Sequence, residues 1–165
     1  PIIPESAPSD RGGNRSNYMT WGLLSLHDKP NEYSVYATEA YYTGPDSRVR
    51  RFSYRVDGFV SLRGHESGCE LLTKRFTFAG NQLSVNFATH DQGRLQVELQ
   101  DGKGKPIEGF TLTECEPLSG DSIKQTVRWK KSANLSRYAG IPVRLRFQLS
   151  SGDLYAIQFE ANDVH

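Results

Sequence analysis

The chain has 165 residues, 24% of them charged and 36% apolar, with a net charge of only +1. That length fits one domain of about 100–200 residues, large enough to bury about 70% of its unfolded surface without help from disulfides or metals. The balance excludes a disordered polyelectrolyte and a collagen-like repeat, and no apolar run is long enough to span a membrane as a helix. Eight Phe, eight Tyr, fifteen Gly and eight Pro stand against a single Met. This composition suits pleated strands and tight turns, and little helix is expected.

The opening residues 1–17 contain three Pro, three Ser and two Gly, with Ile2 and Ile3 the only large apolar side chains. They read as a linker or N-terminal strap; no Met or secretory leader pattern opens the chain, so either a removed signal peptide or a piece cut from a longer protein is expected, and the approach segment favours the cut piece. Residues 18–165 read as a single β-sandwich domain. Residues 18–26 form a first candidate strand, and regular alternation begins at Tyr33. Gly44, Pro45, Asp46 and Ser47 have turn chemistry. Residues 48–56 then place Arg50, Phe52, Tyr54 and Val56 on one face and Val49, Arg51, Ser53 and Arg55 on the other.

Further alternating runs are predicted at 59–62, 71–78, 83–87, 95–99, 110–112, 123–129, 143–149 and 155–159. Turn triplets separate them, among them Ala79-Gly80-Asn81, Asp91-Gln92-Gly93, Ser119-Gly120-Asp121 and Ser151-Gly152-Asp153. Residues 133–138 predict one helical turn before Gly140 and Pro142 end it. About ten short strands without helical crossovers specify an all-β fold: an antiparallel two-sheet β-sandwich, jelly-roll-like.

Catalytic and metal motifs are absent from the sequence. His27, His65, His90 and His165 have no ligand spacing, no CxxC occurs, and GxSxG, P-loop and GxGxxG patterns are missing. Asp57, Glu66, Glu70, Asp121 and Asp153 offer carboxylates, but nothing in their spacing selects the acid–base pair that glycoside hydrolysis needs. Cys69 and Cys115 form either one bridge or two free thiols. No metal site is assigned; the fold class is compatible with a structural calcium, although no Asp-rich loop is present.

Between Arg48 and Arg75 seven positive charges face three acids, a surplus of four in a chain of net +1. Arginine forks match carboxylate, sulfate or phosphate oxygens, so Arg51, Arg55 and Arg63 are the candidates for an anionic ligand. The alternative is a solvated face that discourages edge pairing. Trp21, Tyr42 and Tyr54 are candidate stacking surfaces, whereas Trp129, in phase with Ile123 and Val127, belongs to the core. Tyr54 alternates with Phe52, which also suits a core position. No nucleic-acid-binding pattern is found.

Several strings carry a resemblance. Arg48-Val49-Arg50-Arg51-Phe52 leads into Arg55-Val56-Asp57-Gly58-Phe59-Val60-Ser61-Leu62. Glu70-Leu71-Leu72-Thr73-Lys74, Phe76-Thr77-Phe78 and Asp101-Gly102-Lys103-Gly104-Lys105-Pro106-Ile107 follow. Gly120-Asp121, Gly140-Ile141-Pro142-Val143-Arg144-Leu145-Arg146-Phe147 and Asp153-Leu154-Tyr155 complete the set. Together, over residues 17–159, they resemble the C-terminal β-sandwich of secreted bacterial five-bladed propeller proteins similar to glycoside hydrolase family 32. The resemblance implies that catalytic carboxylates belong to a propeller outside this chain, so the chain is not itself an enzyme. It implies an extracellular or periplasmic setting and an attached catalytic domain as partner. It also implies that residues 18–42 pack like propeller-edge strands in longer relatives, with the sandwich proper starting near Arg48. The expected function is a non-catalytic carbohydrate-binding module, monomeric, holding an anionic polysaccharide near the enzyme. The alternative is a structural accessory domain that packs against the propeller without binding sugar. Neither nucleic acid nor membrane is an expected partner.

Overall fold

A computed structural model describes residues 18–39 and 47–161. The strap at 1–17, Tyr42, and Gly44, Pro45 and Asp46 of the expected turn lie outside the described residues. The fold is all-β, with two antiparallel sheets, as a β-sandwich class requires. The chain divides into two compact units, one ending at Val56 and the other beginning at Asp57.

The first unit is built on β3 (Lys29–Glu39). One edge of β3 takes β1 (Tyr18–Met19) and β2 (Leu24–Leu26) in succession; the other takes β4 (Arg48–Arg55). The β3–β4 register runs from Glu32 opposite Arg55 to Glu39 opposite Arg48. Directly opposed residues of an antiparallel pair share a face. Glu32, Ser34, Tyr36, Arg51, Ser53 and Arg55 therefore lie on one side, and Tyr33, Val35, Ala37, Phe52 and Tyr54 on the other. Val35 and Ala37 are buried.

The second unit centres on two long strands, β7 (Gln82–Asp101) and β9 (Val143–Glu160). β5 (Leu62–Gly64) and β6 (Cys69–Leu72) line the far edge of β9, and β8 (Asp121–Thr126) lines the far edge of β7. Leu83, Val85, Phe87, Leu95, Val97 and Leu99 of β7 alternate onto one buried face, as do Val143, Leu145, Phe147 and Leu149 of β9. Phe78, Phe110, Leu118, Val127, Trp129 and Leu135 complete this core. Phe110 meets Trp129 and Tyr138 edge-on at centroid distances of 5.2 and 5.5 Å. Each fully buried large side chain contributes about 1.5–3 kcal/mol. The expected helical turn is a 3-10 turn at Ser136–Tyr138.

Several features correct the expected strand list. The run at 59–62 is strand only from Leu62, and the run at 71–78 only as far as Leu72, with an isolated bridge at Phe76. Residues 110–112 form a turn rather than a strand, because Phe110 bonds backward to Ile107 and Cys115 to Thr111. The triplets Asp91-Gln92-Gly93 and Ser151-Gly152-Asp153 do not reverse the chain. They face each other within one ladder, where Thr89 pairs with Gly152 and Arg94 with Ser150. Residues 90–93 thus oppose Ser151 alone, a large bulge that bends both strands without ending them. Cys69 and Cys115 are both free thiols.

Candidate functional site

In the first unit the expected arginine site is an internal ion-pair cluster. Arg51 donates from Nε to Ser34 Oγ at 2.9 Å and from its terminal nitrogen to Glu32 Oε1 at 2.7 Å. Lys29 Nζ stands 3.2 Å from the same oxygen. Arg51, then Lys29, holds the Glu32 carboxyl down at about 2. Arg55 is opposite Glu32 in register, on the face that carries Arg51. Lys29, Glu32, Ser53, Tyr54 and Arg55 are among the residues bordering an open hollow of about 550 Å³, which brings two of the expected site residues, Tyr54 and Arg55, to one depression. In register Tyr54 pairs with Tyr33, on the other face of the sheet from Arg55. Arg48 and Arg50 are likewise committed, both to the buried Glu39.

Trp21 lies on the β1–β2 connection and is fully exposed. Its neighbour Thr20 anchors the segment, donating its backbone N–H to the Tyr36 carbonyl at 2.8 Å and its hydroxyl to the same oxygen at 2.9 Å. Tyr18, Met19, Leu23 and Leu24 are each about half exposed.

Arg63 belongs to the second unit. It lies across from Asp153 and grips it through Nε at 3.0 Å and a terminal nitrogen at 3.3 Å. Ser61 donates to the same carboxylate at 2.7 Å. Burial disfavours the charged form of Asp153, but the Arg63 and Ser61 hydrogen bonds outweigh it, and the carboxyl sits below its ordinary range. The arginine expected to bind an anionic ligand thus already holds one from its own chain. Sequence reasoning missed Glu32, Glu39 and Asp153 as the other halves of these pairs.

The other shifted carboxyls also move downward. Arg146 lowers Glu70, the Lys105 and Lys103 amides lower Asp101, and Thr111 lowers Glu114. A general acid for glycoside cleavage requires the opposite shift. Among the described residues no three or more His, Cys, Asp or Glu side chains gather as a metal cage. The chain matches no family model, no curated protein and no solved structure.

Proposed function

We propose that this chain is a non-catalytic accessory module of a secreted polysaccharide-degrading enzyme, one that holds a glycan by stacking it on Trp21. The observation that carries the reading is the fully exposed indole on a segment anchored to β3 by two hydrogen bonds. An indole left in water is available to the C–H face of a sugar, and covering it contributes about 1.5 kcal/mol, roughly tenfold in affinity. The internal pairing of Arg51 and Arg63 shifts the reading away from a salt-dependent grip on anions. The downward carboxyl shifts support a binding role over a hydrolytic one, and the resemblance to propeller-associated sandwiches supports the setting.

The test is affinity electrophoresis in gels cast with neutral glucans, fructans, uronate polymers and sulfated galactans, at low and moderate salt. Retardation by one polymer class should survive moderate salt and fall about tenfold in Trp21→Ala. Retardation by every polyanion that vanishes with salt would reduce the reading to a basic surface.

A second reading is favoured by the half-exposed Tyr18, Met19, Leu23 and Leu24 beside Trp21. An apolar strip of this kind suits docking against an attached catalytic domain. It predicts no retardation by any polymer, together with concentration-dependent self-association of the chain that Trp21→Ala relieves.

A further inference from the structure

We infer that the cleft at the β7–β9 bulge is a hydrogen-bonding site for the hydroxyl groups of a neutral oligosaccharide. The inference rests on the glycan-binding role and goes beyond the Trp21 site, by naming a separate site in the second unit and a ligand class.

The cleft begins with backbone geometry. Residues 90–93 bow out opposite Ser151, and both Asp91 and Ser151 adopt left-handed conformations, with φ of 51° and 41°. Side-chain-bearing residues rarely do so, and such strain collects at functional sites. Glycines hold the strands close around it. A Cβ on Gly64 would meet the Leu149 carbonyl at 2.7 Å, and one on Gly152 the Ala88 carbonyl at 2.6 Å. A Cβ on Gly93 would meet the Ser150 carbonyl at 2.7 Å. β5, β7 and β9 are thus locked together at this point, and the walls of the cleft are set before any ligand arrives. Preorganisation of this kind lowers the ordering cost of binding.

Two depressions flank the bulge and meet at Glu66, about 360 and 390 Å³ in volume. Both lie within the usual size of small-ligand pockets, roughly 300–1,000 Å³. In the first, Asp153 is fixed by Arg63 and Ser61, with His65 and His90 beside it. In the second, Arg94 lies opposite Ser150 and Gln96 opposite Gln148 on the outward face of the ladder. Gln96 donates its amide to the Leu112 carbonyl at 2.9 Å, which fixes the side chain and leaves its oxygen as an acceptor. The Ser150 hydroxyl accepts from the Arg94 backbone N–H at 3.3 Å and retains its own proton to donate.

This mixture of planar amides, a hydroxyl, guanidinium groups and carboxylates suits a polyol, whose every hydroxyl both donates and accepts. Arg63 and Arg94 are balanced by Glu66, Asp91 and Asp153, so the cleft lacks the positive surplus that an anionic sugar would demand. Gln148 and Arg94 are exposed and Gln96 half-buried, so a ligand reaches them from solvent.

The test is an NMR titration of the 15N-labelled full chain with neutral cello-, xylo- and fructo-oligosaccharides, and with a uronate and a sulfated oligosaccharide for comparison. Backbone amides of residues 90–94 and 150–152 and the side-chain amides of Gln92, Gln96 and Gln148 should shift saturably with one neutral series. The shifts should persist at moderate salt and in Trp21→Ala, and Gln148→Ala, at an exposed position, should weaken binding about tenfold while keeping a dispersed spectrum. Saturable shifts confined to residues 18–24 would overturn the inference and leave the Trp21 reading standing. Shifts only with the charged sugars, lost in salt, would overturn the neutral ligand class. No shift with any sugar and no retardation by any polymer would overturn both.

Discussion

Trp129 donates its indole N–H to the Val97 carbonyl at 2.9 Å. The Val97 N–H in turn is accepted by Cys115 Sγ at 3.2 Å. On this edge of β7, Leu95 is bonded to Leu118 and Leu99 to Phe110 and Ile107. Between them two side chains take the place of a neighbouring strand at Val97. Burying the backbone groups of Val97 unpaired would be costly, so Trp129 and Cys115 seal the central ladder as well as filling the core.

Trp129→Phe should therefore cost more than the change in ring size alone. Leaving the Val97 carbonyl unpaired adds about 1–3 kcal/mol, and Trp129→Ala, which also opens a cavity, should cost about 3–5 kcal/mol or more. Urea denaturation of the two variants measures both. A Phe variant as stable as the parent would show that the indole hydrogen bond contributes nothing.

Trp129 illustrates what the sequence made legible: its alternation with Val127 placed it inside, and it is 2% exposed. Asp91-Gln92-Gly93 carries the chemistry of a chain reversal without making one, for a physical reason. A hairpin and a bulge both need a left-handed residue beside a small one, so local chemistry is identical for the two. What separates them is whether the flanks re-pair with a distant strand, and the Arg94–Ser150 pairing spans more than fifty residues. One signal did exist: core positions 83, 85 and 87 and then 95, 97 and 99 keep the same parity across the triplet, as one continuing strand would. The arginine-rich stretch was equally legible as charge but not as a site. Glu32, Glu39 and Asp153 come from other strands, and the register that sets Glu39 opposite Arg48 and Asp153 opposite Arg63, and lets Arg51 reach Glu32 along one face, is a tertiary fact.

The Glu32–Arg51 pair makes a prediction in pH. A depressed carboxyl stabilises the fold above its unfolded pKa, about 4.3 for glutamate, and loses that contribution as pH falls through its folded value of about 2. The Glu32 carboxyl carbon should titrate by NMR with a midpoint near that folded value. In Arg51→Gln the midpoint should rise toward the ordinary range but stop short of it, because Lys29 remains 3.2 Å away. A parent midpoint near 4 would show that the ion pair does not persist in solution.

The two thiols should behave differently. Cys115 is 2% exposed and burial pushes its thiol pKa up, whereas Cys69 is only partly buried. With a disulfide-exchange reagent at neutral pH, Cys69 should react first and Cys115 only when the chain unfolds. The denatured, unreduced chain should show both thiols. A count of zero would reveal a bridge between them and with it an oxidised form of the fold.

Gly152 provides the sharpest test of the bulge. It pairs with Thr89 on one side and with Gly64 on the other. An added methyl would stand 2.6 Å from the Ala88 carbonyl, 2.9 Å from Thr89 Cγ2 and 3.0 Å from Thr89 Cα. Two of these three contacts are main chain in the middle of a ladder, which cannot rotate away as a surface side chain can. Gly152→Ala should therefore destabilise the second unit by about 1–3 kcal/mol, the usual cost of overpacking. It should also force Ser151 and residues 90–93 apart, so amide exchange ought to accelerate at Thr89, Arg94 and Ser151 before it does at Val97 or Leu145. Gly140→Ala is the control: that glycine has a φ of 75° but open space where a Cβ would go, and its N–H bonds to the Phe78 carbonyl away from the bulge, so its cost is backbone strain alone, with exchange at the bulge unchanged. Equal, uniform loss of protection in both variants would mean that Gly152 is not where the three strands are locked together.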